Sequence, residues 1–366
     1  SNSEEFSQDS LPHGKGKMTF SNSNDTCYDG EWKEGKRHGK GTFSDYNNIY
    51  DGEWKDNQKQ GKGKMTFSDG DIYDGEWKDN QEHGKGKLMY SYGGIYDGEW
   101  KESERHGKGN MTFSNGDIYD GEWKDNQRHG KGKLTYSNGI YDGEWNYNQR
   151  HGKGKMMFSN GDIYDGEWKD GKRHGKGKIT FFNGDIYDGE WEENKQHGKG
   201  KMTFSNGDIY DGEWEENKQH GKGKMTFSNG DIYDGEWEEN KYHGKGKLTY
   251  SNGVGIYDGE WKDNARHGKG KSVYPSGNIY NGEWKDNVRH GKGIMTFSNG
   301  DIYDGEWKDN ARHGEGKMTY SNGDIYNGEW QSDTCICLSN GNGKRMLSSH
   351  PQSNQTTSSS KRRCKR

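Results

Sequence analysis

The chain has 366 residues, of which 25% are hydrophobic, 13% are aromatic and 31% are charged. Globular domains contain roughly 45–50% apolar residues, so this composition excludes a deep hydrophobic core. The formal net charge of −5 excludes a strongly basic, nucleic-acid-binding protein. This net charge is also too small to indicate an intrinsically disordered chain, which typically combines low hydrophobicity with a high net charge.

Charged residues and cysteines are unevenly distributed along the chain. Residues 331–366 carry seven Lys/Arg and one Asp, whereas residues 1–330 carry 47 Lys/Arg and 58 Asp/Glu. The four cysteines are too few and too scattered for a disulfide framework, which favours a reducing compartment. The sequence shows no signal peptide and no long apolar run. We therefore expect a cytoplasmic protein, peripheral to a membrane or to the cytoskeleton.

A short phrase, Y-[DN]-G-E-W, recurs through nearly the whole chain and contains every tryptophan. The tryptophans lie 23 residues apart, with two intervals of 22 and one of 24, at Trp32, Trp54, Trp77, Trp100, Trp123, Trp145, Trp168, Trp191, Trp214, Trp237, Trp261, Trp284, Trp307 and Trp330. A second segment, H-G-K-G, keeps the same phase and is altered in a few copies, with Gln60 in place of histidine once. Such periodicity predicts a repeat architecture.

The repeat divides the chain into three regions. Residues 1–12 form a leader, which we interpret as a degenerate half-repeat, and residues 13–330 form the regular array. After Trp330 the phrase decays, and we predict a closing strand at Thr334–Leu338. The remainder of residues 331–366 is rich in Gly, Ser, Thr, Gln and basic residues, which predicts a disordered tail.

Within one repeat the local signals are those of a β-hairpin. Ser114-Asn115-Gly116 predicts a type I′ turn, because Asn-Gly readily supplies two residues with positive φ. Lys124–Arg128 predicts a second turn with Asn126 in the left-handed conformation, and Gly35 and Gly171 hold the same position in other copies. The segments between these turns are rich in Ile, Tyr, Trp, Thr and Phe, which favour strands.

Side chains alternate between the two faces of a strand, so the repeat predicts two different faces. The first face receives Tyr119, Gly121, Trp123, Gly130, Gly132, Leu134 and Tyr136. The second face sets Asp and Glu against Lys. Glycine leaves room for a ring of an adjacent strand or hairpin to lie over the backbone. One repeat buries too little apolar surface to fold alone, so we expect the repeats to stack.

The pattern Y-x-G-x-W-x-x-[NG]-x-x-x-G-x-G-x-x-x-[FY]-x-x-G resembles the MORN (membrane occupation and recognition nexus) repeat over about 318 residues. The family usually has glycine three residues after tryptophan, whereas Asn57, Asn80 and Asn126 stand there in this chain. The resemblance implies an all-β, elongated, single-layer antiparallel β-meander of about 14 stacked 23-residue hairpins. It also implies protein scaffolding, membrane-linked assembly and, in some members, dimerisation.

No catalytic or metal-binding motif accompanies the repeat. Phosphate-loop, kinase, nucleophile-elbow, zinc-protease and EF-hand patterns are missing. Histidines of successive hairpins would lie about 10 Å apart, too far to share a zinc ion. Cys335-x-Cys337 has no second Cys or His pair nearby. We therefore expect no enzymatic activity, no cofactor and no metal.

Three functional hypotheses remain open. In the first, a partner helix or peptide binds the aromatic and glycine face, with candidate contacts Tyr119, Trp123, Tyr136, Tyr141, Trp145, Tyr164 and Trp168. In the second, the tail binds acidic lipid or acts in targeting through Lys361, Arg362, Arg363, Lys365 and Arg366. In the third, the array is the regulatory part of a longer phosphoinositide kinase or lysine methyltransferase, because MORN arrays occur joined to such domains.

Overall fold

The strands follow one another as an antiparallel meander. The computed structural model describes residues 11–20, 26–251 and 255–336. It divides into two units, Ser1–Phe182 with Trp191–Asn194 and Asn183–Glu190 with Lys195–Arg366. The paired strands are consecutive in the chain, as in β-hairpins, and no helix occurs within the described ranges. The all-β antiparallel fold predicted from the repeat is confirmed.

The 29 strands alternate between two types, which we name YDGEW strands (even numbers) and HGKG strands (odd numbers). They are β1 (Gly14–Thr19), β2 (Cys27–Lys33), β3 (Lys36–Asp45), β4 (Asn48–Lys55), β5 (Gln58–Thr66), β6 (Ile72–Lys78), β7 (Gln81–Met89), β8 (Ile95–Lys101), β9 (Glu104–Thr112), β10 (Ile118–Lys124), β11 (Gln127–Tyr136), β12 (Gly139–Asn146), β13 (Gln149–Phe158), β14 (Ile163–Lys169), β15 (Lys172–Thr180), β16 (Ile186–Glu192), β17 (Lys195–Thr203), β18 (Ile209–Glu215), β19 (Lys218–Thr226), β20 (Ile232–Glu238), β21 (Lys241–Thr249), β22 (Ile256–Lys262), β23 (Ala265–Val273), β24 (Ile279–Lys285), β25 (Val288–Thr296), β26 (Ile302–Lys308), β27 (Ala311–Thr319), β28 (Ile325–Gln331) and β29 (Thr334–Ile336).

The last strand is short and differs from the other HGKG strands in sequence. β29 pairs with β28, with Cys335 opposite Trp330. It covers the first three residues of the predicted closing strand at Thr334–Leu338, whose other two residues lie outside the described ranges. Residues 1–10 of the predicted leader and residues 337–366 of the predicted tail also lie outside them.

The register places like residues opposite each other and produces the two predicted faces, except that Gly130, predicted on the first face, has a φ of 59° that directs its Cβ position towards the Glu122 side chain of the second. Gly121 of β10 stands opposite Gly132 of β11 and Gly109 of β9. On the other face, Asp120 stands opposite Lys133. The thirteen tyrosines of the YDGEW strands from Tyr28 to Tyr303 are 0–1% exposed, and the fourteen tryptophans are 3–6% exposed. The core therefore lies on one face of the sheet, which we name the aromatic face; the other is the charged face.

Each buried tyrosine lies over two facing glycines. A Cβ on Gly121 would come 2.6 Å from the Tyr119 hydroxyl oxygen, and a Cβ on Gly132 would overlap the same ring. The hydroxyl donates a hydrogen bond to the carbonyl oxygen of Glu122 at 2.9 Å, which satisfies its polar end. The ring over a glycine thus comes from the glycine's own strand or its hairpin partner, and glycine is required because any side chain would displace the ring.

Tyrosines and tryptophans form one continuous edge-to-face row within each unit. Tyr119 meets Trp123 of its own strand at a centroid distance of 5.1 Å and Trp145 of the next repeat at 5.4 Å, with interplanar angles of 89° and 86°. The Trp123 indole also donates a hydrogen bond to the carbonyl oxygen of Gly109, at 3.0 Å. Each such ring pair contributes about 0.5–1.5 kcal/mol beyond burial, and half of the pairs join different repeats.

The two turns differ from each other in type, and one sequence prediction about them is wrong. Asp125 and Asn126 have φ values of 48° and 64°, so the type I′ turn lies here, with Asn126 left-handed as predicted. At Ser114-Asn115-Gly116 only Gly116 has positive φ, 89°. That loop is a three-residue turn, in which the Asn115 side chain instead accepts a hydrogen bond from the Asp117 amide at 3.0 Å.

The asparagine of the type I′ turn does more than tolerate positive φ. Its backbone amide donates to a carbonyl oxygen of the preceding repeat, as Asn148 does to Arg128 at 3.0 Å. Its side-chain oxygen accepts a hydrogen bond from the same arginine's amide at 2.9 Å. At Gly171 the side-chain acceptor is missing, while the backbone amide still donates to the Arg150 carbonyl oxygen at 2.9 Å. The exchange of glycine for asparagine therefore adds one hydrogen bond between repeats.

We predict that Gly171→Asn stabilises the array. Gly171 has a φ of 81°, a Cβ there meets nothing within 4 Å, and Asn148 adopts 66° at the equivalent place. The free energy of unfolding should rise by about 0.5–1.5 kcal/mol, because the variant gains one hydrogen bond and its unfolded chain has less conformational freedom. Hydrogen exchange of the Arg150 amide and thermal unfolding measure it. Asn126→Gly is the matched control and should lose a similar amount; an unchanged Arg150 amide in Gly171→Asn would contradict the mechanism.

We predict that Gly132→Ala destabilises the array by about 1–3 kcal/mol, because overpacking forces the Tyr119 ring off the sheet. Denaturant unfolding and near-ultraviolet circular dichroism report the loss and the displaced ring. Lys131→Ala, on the charged face of the same strand, should change stability by no more than about 0.5 kcal/mol. Equal effects of the two substitutions would rule out ring displacement as the cause.

Candidate functional site

The candidate partner contacts lie together on the aromatic face, but six of them are buried. Tyr119, Tyr141 and Tyr164 are 0% exposed, and the three paired tryptophans, Trp123, Trp145 and Trp168, are each 4% exposed. Tyr136 is half-buried at the end of β11. The six rings pack against one another and leave almost no surface for a partner. Direct binding through these side chains stays a prediction, with Tyr136 the one accessible member.

A row of basic side chains covers the buried tryptophans of the first unit. The guanidinium carbon of Arg128 lies 4.4 Å from the ring centroid of Trp145, and that of Arg150 lies 4.3 Å from Trp168. Arg105 lies over the ring of Trp123 in the same way, at 4.6 Å, and Arg173 lies over that of Trp191, at 4.3 Å. Sequence reasoning missed these arginines, although Arg128 has the same strand parity as Gly130 and Gly132, which signals the aromatic face.

A second row, of half-exposed aromatic residues, runs along the opposite side of the same face. Its members stand at the end of an HGKG strand or directly after it: Phe113, Tyr136, Phe158 and Phe181. In the second unit, equivalent residues line an open depression formed by Arg266, Tyr274, Trp284, Arg289, Met295 and Asn310. The accessible surface of the aromatic face thus combines cations at one side with aromatic rings at the other.

Burial alters the ionisation of the residues on this face. It raises the pKa of Tyr28 and of Tyr303 to about 12, although a nearby arginine opposes the shift in both. Burial is also the main cause of raised pKa values at the eleven tyrosines between them. It lowers the pKa of the Arg128 and Arg173 guanidinium groups. The face therefore carries neutral phenols and incompletely solvated cations.

The charged face has paired ions but no concentrated site. Exposed ion pairs join successive turns between Lys172 and Glu193 and between Lys241 and Asp263, the latter at 3.0 Å. Exposed pairs of this kind add little stability. His106 Nδ1 lies 3.9 Å from Asp125, and within residues 11–20, 26–251 and 255–336 no three His, Cys, Asp or Glu side chains are placed to hold a metal ion.

Two further points bear on the lipid hypothesis. The tail candidates Lys361, Arg362, Arg363, Lys365 and Arg366 lie outside the described residues. Over the part of the chain that the structure describes, there is no helix with the length and apolar character needed to span a bilayer.

We predict that the array unfolds in alkaline solution. The folded-state pKa of the thirteen buried tyrosines is raised, so they bind their protons more tightly when folded than when unfolded. Their stabilising contribution is complete below about pH 10 and is lost as pH rises towards 12 and above, by up to ~1.4 kcal/mol per pH unit for each tyrosine. Circular dichroism and tyrosinate absorbance, followed together, should change in one step. Tyrosinate absorbance from the buried rings before any loss of circular dichroism would contradict this.

Comparisons with known proteins agree with the geometry of the repeat. The MORN repeat model matches residues 8–24, 28–48, 50–72, 73–94, 96–118, 119–140, 141–163, 164–186, 187–209, 210–232, 233–254, 257–279, 280–302 and 303–325. No curated protein matches the chain.

Several solved structures show weak likeness. The TCP10 domain of Danio rerio CPAP in complex with a STIL peptide is 10% identical, covers 74% of this chain and 99% of its own, and gives a TM-score of 0.31. The SAS-4 TCP domain of Drosophila melanogaster, with a proline-rich motif of Ana2, is 16% identical over 47% and 86% of the two chains, with a TM-score of 0.27. Virginiamycin B lyase from Staphylococcus aureus is 14% identical over 73% and 83%, with a TM-score of 0.13. These scores are too low to bear on function, whereas fourteen consecutive matches to the repeat model cover most of the sequence: the chain belongs to the MORN repeat family.

Proposed function

We propose that this MORN repeat protein is a non-enzymatic scaffold that holds a partner protein along its aromatic face. The observation that carries the proposal is the composition of that face above its buried rings. Half-exposed Phe113, Tyr136 and Phe158 run along one side, and arginines such as Arg128 run along the other. Aromatic residues, including phenylalanine, and arginine are enriched in protein–protein interfaces, and tyrosine and arginine are among the commonest hot spots.

The aromatic face is also open. Among the described residues, no helix and no second sheet lies over it, because every strand belongs to the meander itself. A sheet face that carries apolar side chains normally packs against another layer. The rings solve this in part by packing on one another, and the half-exposed aromatic row is the portion that they leave accessible.

The uniformity of the repeat supports binding over catalysis. Catalytic sites depend on a few groups with distinctive surroundings. Here the same tyrosine–glycine–tryptophan arrangement recurs in both units, and the raised tyrosine pKa values follow the repeat from Tyr28 to Tyr303. We further propose that the scaffold acts in the cytoplasm, beside a membrane or the cytoskeleton.

The test compares partner capture by two surface variants. Phe113→Ala with Phe158→Ala removes two half-exposed rings of the aromatic face, and Lys131→Ala with Lys153→Ala removes two exposed side chains of the charged face. Recovery of cross-linked partner proteins, quantified by mass spectrometry, should fall about tenfold or more for the first variant, the loss expected for interface hot spots. The second variant should retain its partners.

Circular dichroism and thermal unfolding of both variants show whether they remain folded. The proposal fails if the aromatic-face variant is folded and retains every partner, or if only the charged-face variant loses them.

A further inference from the structure

Four consecutive arginines of the first unit each retain an unused hydrogen-bond donor. Each guanidinium donates through Nη2 to a backbone carbonyl oxygen in the turn of the following repeat. The four bonds run from Arg105 to Asn126 at 3.0 Å, Arg128 to Asn148 at 3.1 Å, Arg150 to Gly171 at 2.8 Å and Arg173 to Asn194 at 2.8 Å. Within the described ranges, Nη1 of these arginines donates to no acceptor.

These arginines also lack an acidic partner. Burial lowers the pKa of Arg128 and Arg173, so their charge is only partly solvated. Asp117 raises the pKa of Arg128 and Asp162 raises that of Arg173 through space, and both effects are smaller than that of burial. No carboxylate of the described residues forms an ion pair with any of the four. Because the backbone and the tryptophans already hold these guanidinium groups in place, a carboxylate could bind them without a large ordering cost.

The row has defined ends. Glu82 occupies the arginine position one repeat before Arg105, and Gln196 occupies it one repeat after Arg173. Within the row, successive arginines are separated by two strands, so their guanidinium groups recur about every 9.6 Å, given a strand spacing of ~4.8 Å. An α-helix rises ~1.5 Å per residue, so seven residues of helix span about 10.5 Å, close to this interval.

The other side of the aromatic face indicates what the rest of such a helix would contact. Phe113, Tyr136 and Phe158 recur with the same interval as the arginines, because each lies at the end of an equivalent HGKG strand or directly after it. On a helix, a residue three or four positions from a carboxylate lies on the same face beside it. A helix with an acidic residue and an apolar residue in each heptad would therefore meet both rows together.

We propose that the arginine row Arg105–Arg128–Arg150–Arg173 binds an acidic amphipathic α-helix of a partner protein, with one carboxylate every seven residues facing Nη1 and an apolar residue beside it on the aromatic row. The inference rests on the proposed scaffold function and names the chemistry of the partner. Nucleic acid fits less well, because a chain with a net charge of −5 repels a polyanion more strongly than a peptide with one carboxylate in each heptad.

The probe is a synthetic helical peptide of about 29 residues with glutamate every seven residues and leucine three residues after each glutamate. A comparison peptide has the same composition with the glutamates at irregular spacing, and circular dichroism confirms that both are helical. Fluorescence anisotropy with the full chain should show binding of the first peptide that weakens as salt rises. The comparison peptide should bind at least about tenfold more weakly, because most of its carboxylates miss an arginine.

The variant Arg128→Gln with Arg150→Gln removes half of the row. The chain itself has glutamine at this position in two repeats. The backbone amides of Gln196 and Gln219 still donate to the side-chain oxygens of the turn asparagines, at 2.9 and 2.8 Å, so this variant should fold. It should weaken binding of the heptad peptide about tenfold or more. Lys131→Gln with Lys153→Gln removes the same charge from the charged face and should change binding by less than about twofold.

Equal binding of the two peptides, or an unchanged dissociation constant for the folded arginine variant, overturns the inference. Sedimentation equilibrium supplies a further outcome: a dimer that becomes a monomer in the arginine variant would show that a second copy covers the row, which also overturns it. None of these results affects the scaffold proposal, which depends on partner capture by the aromatic row and fails only in that separate experiment.

Discussion

The contact between a tyrosine ring and two facing glycines is the constraint on which the rest of the structure depends. A single layer of sheet has no opposing layer to bury its apolar side chains, so these must be buried against the sheet itself. Tyr119 achieves this by lying flat along its own strand over Gly121 and Gly132. The ring then meets Trp123 and Trp145 in edge-to-face contacts. Without the glycines the tyrosines would stand away from the backbone and the tryptophans would lose their contacts.

The same arrangement explains how repeats with few apolar residues hold together. Within each unit a buried tyrosine such as Tyr141 contacts one tryptophan in its own repeat and one in the next, so the core of the unit is a chain of pairwise contacts. The turns add a second connection, because Asn148 bonds to Arg128 through both its backbone and its side chain. On the other edge, Asp208 accepts a hydrogen bond from the Ser228 amide of the following repeat at 2.7 Å. Stability is therefore shared between nearest neighbours, as in other one-dimensional arrays.

Strand parity and the 23-residue period were sufficient to predict the sheet, its two faces and a ring of the hairpin partner over Gly132. They did not predict that Tyr119 also covers Gly121 of its own strand. They did not separate core from binding surface, because Trp123 and Tyr136 have the same parity and only the neighbouring rings decide that the first is buried and the second half-exposed. Asn115-Gly116 and Asp125-Asn126 both resemble type I′ turns in sequence. Their different conformations follow from their hydrogen bonds: the Asn115 side chain accepts from the Asp117 amide, whereas the Asn126 side chain accepts from the Arg105 amide. The bond to Arg105 connects two repeats, so the sequence of the turn alone does not indicate it. Arg128 was overlooked because a basic residue next to a turn is expected to face solvent, whereas here it lies over the ring of Trp145.

The residue at the arginine position differs between repeats, and this difference has a consequence for any long ligand. A perfectly uniform array offers the same surface at every step of about 10 Å, so a bound chain could slide by one repeat with no change in energy. In this protein the position is occupied in turn by Glu82, four arginines, Gln196, Gln219 and Tyr242. The Tyr242 ring stacks on Tyr233 with a centroid distance of 3.7 Å, so no cation of the described residues lies over the tryptophan in that repeat. The sequence of side chains at this one position breaks the translational symmetry that the fold creates. A ligand that needs four consecutive arginines would find them only at Arg105–Arg173, because the later run, Arg266, Arg289 and Arg312, has three.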